Sequence, residues 1–144
     1  MPFDCDYPQS VAEVLDAELR FNRAALAAVQ SFARRRPYRQ NAATRKQVIL
    51  ELCGRLSAAY GIACPRVVFH WSRGSSGSSC YRPALHQIEL RGRFSVVTVL
   101  HEFGHARGFG ERAACRWSIN LFARCFPRSF ARCRQVGHTL VREG

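Results

Sequence analysis

Two histidines four residues apart, with a glutamate directly after the first, are the residues best suited to chemistry in this chain: His101-Glu102-Phe103-Gly104-His105. On an α-helix, residues at this spacing stand one above the other on the same face, so both imidazoles can reach one ion. Two neutral imidazoles suit zinc, whose catalytic sites take three protein ligands and leave a position for water. Glu102, beside the first ligand, is then the general base that removes a proton from that water. Glu111, six residues after His105, is the acid placed to swing back toward the ion. Cys115, one turn further on, is the thiolate that replaces it if Glu111 is not a ligand. The competing account is an amphipathic helix with two core histidines, in which Glu111 is a first-turn acid stabilised by the helix dipole and Cys115 a buried thiol.

Such a motif needs a buried helix and a sharp return. Val96, Val97, Val99, Leu100 and Phe103 give the motif segment an apolar face. Gly108 and Gly110 supply a helix stop and a turn. Residues 111–122 are again helical in pattern, with Ala114, Trp117, Ser118, Leu121 and Phe122 on one face. Pro127 interrupts that helix, and residues 128–144 are expected as a short helix or coil.

Upstream, residues 1–9 read as an irregular lead-in. Ser10 with Glu13 has the spacing of a capping box. Apolar residues then recur at helical intervals from Val11 to Phe32, which predicts one helix ended by Pro37. Its Arg34-Arg35-Arg36 run complements the C-terminal dipole. A second helix is expected from about Asn41–Thr44 to Gly61. Val67-Val68-Phe69-His70-Trp71 reads as a buried strand, and residues 72–79 as a small polar loop. That loop has neither the lysine nor the spacing of a phosphate-binding P-loop. Leu85-His86-Gln87-Ile88-Glu89-Leu90 alternates apolar with polar, the pattern of a half-exposed strand.

The 144 residues bound the chain to a single domain. No run approaches 18 consecutive apolar residues, so no membrane span is expected. The start, Met1-Pro2-Phe3-Asp4-Cys5-Asp6, is acidic with no apolar run after it, which argues against a signal peptide and makes the cytoplasm the expected compartment. Seven cysteines without a CxxC pair disfavour both a zinc ribbon and a disulfide framework. The net charge of +12, nearly all from arginine, supports non-specific nucleic-acid contact through a basic surface.

The order of elements, a helix, short strands, a helix bearing HExxH and a following helix bearing an acid, resembles the zincin metallopeptidases. His101, Glu102 and His105, followed by Glu111-Arg112-Ala113-Ala114, are similar to the HExxH and E-x-x-A segments of the ImmA/IrrE-like and minimal gluzincin peptidases. Tyr81-Arg82-Pro83 through Ile88-Glu89-Leu90 resembles the edge strand before the active helix of those families. The similarity covers about residues 45–123. It implies a zincin-like α+β fold: N-terminal helices, a small mostly antiparallel sheet, the HExxH helix and a C-terminal helix. A helical extension over 1–40 would precede a peptidase domain over 41–144. It further implies that His101, His105 and Glu111 bind zinc, and that Glu102 is the base for hydrolysis of a protein or peptide substrate. An open strand 85–90 would pair an extended peptide through its backbone. The HExxHxxGxxE spacing also resembles the metzincin pattern, although those proteins place a methionine turn below the metal and the only methionine here is Met1. The clan therefore stays open.

For the oxyanion that forms during hydrolysis, Tyr81, His86 and His138 each carry a suitable donor. His70 is a weaker candidate ligand. A second reading, from another class, is a catalytically silent zincin-fold protein that acts as a DNA-associated or regulatory binding module.

Overall fold

Asn41 begins the longest helix, its side chain accepting from the Thr44 N–H at 2.8 Å. This helix, α3 (Ala42–Tyr60), ends at Gly61, whose φ of +64° lets its N–H and that of Ile62 close back on the carbonyls of Ala58 and Ser57. The computed structural model describes residues 11–70, 79–136 and 139–142. The Ser10 cap, most of the polar loop and His138 lie outside them.

The single first helix expected from the apolar spacing is two helices, α1 (Val11–Val14) and α2 (Arg23–Arg34). The break has local causes. Asn22 caps α2 by accepting from the Ala25 N–H at 3.0 Å. Asn120, far along the chain, accepts from the Asp16 N–H at 2.8 Å and donates to the Val14 carbonyl at 2.9 Å. These bonds satisfy groups that a continuous helix would have used internally. Val14, Val29 and Phe32 share one apolar core with Ile49, Leu52 and Leu56 of α3, so the N-terminal helices pack into the same core as the rest.

Three strands follow: β1 (Arg66–His70), β2 (Cys80–Arg82) and β3 (Gln87–Arg91). They form a sheet in the order β1-β3-β2, with β1 parallel and β2 antiparallel to β3. The sheet is thus mixed rather than mostly antiparallel. Strand β3 is its centre, not an open edge, and Ile88, Glu89 and Leu90 are all buried. The alternation misleads because Glu89 is a polar residue held inside. Its carboxylate takes the Arg82 guanidinium on one oxygen and His70 Nε2, 2.9 Å away, on the other. With both sides of β3 paired, no backbone edge is free there for a peptide.

Helices α4 (Val96–Ala106) and α5 (Glu111–Cys125) then pack on one another. A short α6 (Pro127–Ala131) follows the break at Pro127. The region expected as helix or coil ends in an antiparallel hairpin of β4 (Cys133–Val136) and β5 (Thr139–Arg142). The architecture is α+β. Among the described residues, no helix is long and apolar enough to cross a membrane.

Candidate metal centre

Helix α4 is almost wholly buried, from Val96 through Gly104, which places His101 and Glu102 in the interior at 2% and 5% exposure. His105, on the last turn, is half-buried. The helix ends in a glycine turn: Phe109 N–H bonds the Gly104 carbonyl at 2.9 Å, and Gly108 N–H bonds that of His105 at 3.0 Å. Gly108 carries a φ of +104°, a region that side chains with a Cβ rarely enter. The chain thereby reverses within four residues, and α5 starts with Glu111 beside the two histidines.

How close α5 comes depends on Gly104. A Cβ at that position would lie 3.1 Å from the Cβ of Ala114, one turn beyond Glu111. The helices therefore meet backbone to backbone, and the first turn of α5 reaches the face that carries His101 and His105.

Three donor groups converge there. His101 Nε2 and His105 Nε2 are 3.1 Å apart. Glu111 places Oε1 at 2.6 Å from His101 Nε2 and Oε2 at 3.5 Å from His105 Nε2. Ligand atoms at about 2.05 Å from a tetrahedral zinc stand roughly 3.3 Å from each other; in the triangle of the two Nε2 atoms and the Glu111 carboxylate the His101–His105 edge is near that length, and Glu111 turns a different oxygen to each ring, closer to His101 than to His105. Glu102 has Oε1 at 3.9 Å from His101 Nε2, next to the triangle but outside it.

Hydrogen bonds on the far sides of the rings orient them. His105 Nδ1 lies 2.9 Å from the Phe109 carbonyl, which can only accept, so Nδ1–H donates to it and the ring turns its Nε2 atom inward. His101 Nδ1 faces the Cys115 thiol, 3.7 Å away, and that sulfur is also 3.8 Å from Glu111 Oε1. Cys115 thus stands behind His101, on the ring nitrogen opposite the converging one. Burial pulls the His101 imidazole down, but the hydrogen bond and charge of Cys115, with the carboxylates of Glu102 and Glu111, hold it above the ordinary histidine value. Two sets of potential ligands share His101: one with Glu102 and His105, the other with Glu111 and Cys115.

The remaining candidates are committed elsewhere. Tyr81 O–H donates to His86 Nδ1 at 2.6 Å, and His86 Nε2–H donates to the Ala63 carbonyl at 2.7 Å. Two of the three donors proposed for an oxyanion, Tyr81 and His86, are used in that chain, and the third, His138, lies outside the described residues. His70 serves Glu89.

Some supporting residues carry no motif. Arg107, just past the motif, stacks its guanidinium 3.7 Å above the Tyr60 ring and 4.1 Å from that of Phe109, bracing the turn that returns to Glu111. Thr98 lies one turn before His101 on the same helical face, and its buried hydroxyl has no hydrogen-bond partner among the described residues. Only the spacing of Thr98 from His101 was a signal available in the sequence. In comparisons with known proteins, no family model, no curated protein and no solved structure matches this chain.

Proposed function

We propose that the cluster of His101, His105 and Glu111 is a zinc site, and that the protein is a zinc-dependent hydrolase. More narrowly, it is a metallopeptidase of the zincin type, placed in the cytoplasm. The observation that carries this reading is the convergence of both Nε2 atoms and one carboxylate at separations of 2.6–3.5 Å. Opposed nitrogen lone pairs and a carboxylate at that distance repel unless a proton or a cation lies among them. A divalent cation would engage both nitrogens and the carboxylate at once, with the His105 Nδ1–H still bonded to the Phe109 carbonyl.

Zinc bound there supplies a water of lowered pKa and polarises the scissile carbonyl. His101 and His105 would hold the ion through their Nε2 atoms, and Glu111 would hold it through its carboxylate. Glu102 accepts the proton of the attacking water and delivers it to the departing amine. Its burial keeps the carboxylate away from bulk solvent while leaving it beside the ligand triangle. Because β3 is enclosed, an extended substrate meets the site elsewhere than along residues 85–90.

The test is incubation of zinc-loaded protein with a mixed-sequence peptide library, read by mass spectrometry, with His105→Ala as control. Cleavage by the wild type alone is expected; equal cleavage by both removes the metal from the reaction. The net charge of +12 favours a second reading, a binding module for nucleic acid. That reading requires affinity that falls steeply with salt and ignores Glu102→Gln.

A further inference from the structure

Helix α2 ends at Arg34 with Arg35 as its cap, and their charge suits the partial negative charge of a helix C-terminus. Arg35 also pairs with Glu51 of α3. Neither reason extends to Arg36, Arg39 or Arg93. Arg36 has a φ of +48°, in the left-handed region, and turns the chain into a single helical turn, Pro37–Arg39. That turn is clamped from beneath. Pro37 is buried, and the buried Arg45 of α3 donates Nε–H to the Pro37 carbonyl at 3.2 Å and a terminal N–H to that of Gln40 at 3.1 Å. The same guanidinium lies 5.4 Å from the centre of the Tyr38 ring. Arg36 and Arg39 are thus exposed side chains on a fixed backbone.

The tertiary structure adds Arg93. Tyr38 donates its O–H to the carbonyl of Phe94, 56 residues away in the chain, which ties the turn before α4 to the Pro37–Arg39 segment. Phe94 has a φ of +58°, and its ring packs edge-on against Phe69 at 4.9 Å. Burial raises the pKa of the Tyr38 phenol, and the nearby charges of Arg45 and Arg93 oppose that rise. The exposed Arg93 is thereby brought to the same segment. Among the described residues, none of Arg34, Arg36, Arg39 and Arg93 makes an ion pair or a side-chain hydrogen bond. Glu51 is the only acidic residue between Leu19 and Ile88, and Arg35 takes it.

We propose that Arg34, Arg36, Arg39 and Arg93 form a surface that binds the phosphodiester backbone of nucleic acid without regard to base sequence. Arginine forks match phosphate oxygens in pairs, and each neutralised phosphate releases counterions. A lipid surface would also offer phosphates, but docking there draws on apolar side chains entering the acyl boundary. The exposed large hydrophobics among the described residues are Leu15, Leu50 and Leu85, none of them in the arginine segments. The proposal rests on the nucleic-acid reading drawn from net charge and gives it a location. It is independent of the zinc centre, with which it shares no residue.

The experiment is fluorescence anisotropy of a labelled mixed-sequence duplex, titrated with the full chain at salt concentrations from about 50 to 200 mM. Wild type should bind with affinity that falls linearly in log–log form as salt rises. The variant Arg36→Gln/Arg39→Gln/Arg93→Gln, its fold checked by circular dichroism, should bind at least tenfold more weakly at the lowest salt. Its salt slope should be shallower by about 0.9 for each arginine removed. The control Arg55→Gln/Arg66→Gln/Arg128→Gln removes equal charge from exposed positions elsewhere and should change affinity less than threefold. A control as weak as the first variant overturns the surface and leaves only diffuse charge. Absence of binding by wild type overturns the surface together with the nucleic-acid reading. Tighter binding to phosphatidylserine vesicles than to duplex, lost in the first variant, identifies a membrane partner and overturns the proposal. Displacement of the duplex by hexaglutamate at equal charge concentration identifies an acidic peptide and overturns it too.

Discussion

Gly104 and Ala114 meet so closely that a Cβ on the glycine would lie 3.1 Å from the alanine Cβ and 3.2 Å from its Cα. Both neighbours belong to helix backbones or to a side chain with no freedom to turn away. The glycine inside the motif therefore sets the distance between α4 and α5, and through it the distance from the two histidines to Glu111.

Gly104→Ala should push α5 outward by a few tenths of an ångström. Overpacking of this kind costs about 1–3 kcal/mol, against a helix-propensity gain of roughly 1 kcal/mol for replacing glycine. We expect a modest change in urea midpoint but a clear loss of zinc affinity in competition with a chromophoric chelator. Unchanged affinity would show that Glu111 does not depend on the contact.

Metal content separates the ligands. Wild-type protein should carry about one zinc per chain. His105→Ala should lose it and Glu111→Ala retain only part. Cys115→Ala should keep the metal with affinity lowered about 10–100-fold, the effect of removing a group that orients a ligand. If Cys115→Ala instead abolishes binding while Glu111→Ala does not, the thiolate is the third ligand.

Glu102→Gln preserves shape and removes the base. Zinc content should match wild type while peptide hydrolysis falls about 10²–10⁴-fold, the usual contribution of a positioned acid–base group. Hydrolysis at the wild-type rate would rule out the assigned role.

The Glu89 network makes stability depend on acid. The hydrogen bonds from Arg82 and then His70 outweigh burial and hold the Glu89 carboxyl below the usual glutamate range. In that window the unfolded chain binds the proton more readily, so stability rises with pH. The contribution is complete above the ordinary glutamate pKa and is lost as pH falls through the lower folded value. Urea midpoints measured from neutral pH downward should drop in wild type and stay flatter in Glu89→Gln. Parallel curves would assign the acid loss to other groups.

Asn120 ties α5 to the N-terminal segment through the Asp16 N–H and the Val14 carbonyl, while also donating to its own helix at Arg116. Asn120→Ala leaves buried polar groups unpaired, at about 1–3 kcal/mol. Limited proteolysis should then cut within residues 15–22 faster than in wild type. An unaltered digestion pattern would mean that the remaining contacts, the Arg116–Asp16 ion pair and the Arg124 bonds to the Ala17 and Leu19 carbonyls among them, hold the segment without Asn120.

The amino-acid sequence by itself determined the elements whose signals are local. Asn41 and Gly61 bound α3, the apolar spacing around His101 defines α4, and Pro127 separates α5 from α6. It also placed His101, Glu102 and His105 on one helix, because a four-residue spacing needs no tertiary information. Only the tertiary structure decided that the first helix breaks, since the partner of the Asp16 N–H is Asn120, 104 residues away. The same holds for β3. Alternation marks it as half-exposed, but pairing on both sides and two partners for Glu89 bury it. Glu111 reaches the histidines because Gly108 reverses the chain and Gly104 admits Ala114. Spacing names the donor atoms, but their convergence depends on how closely two helices can pack.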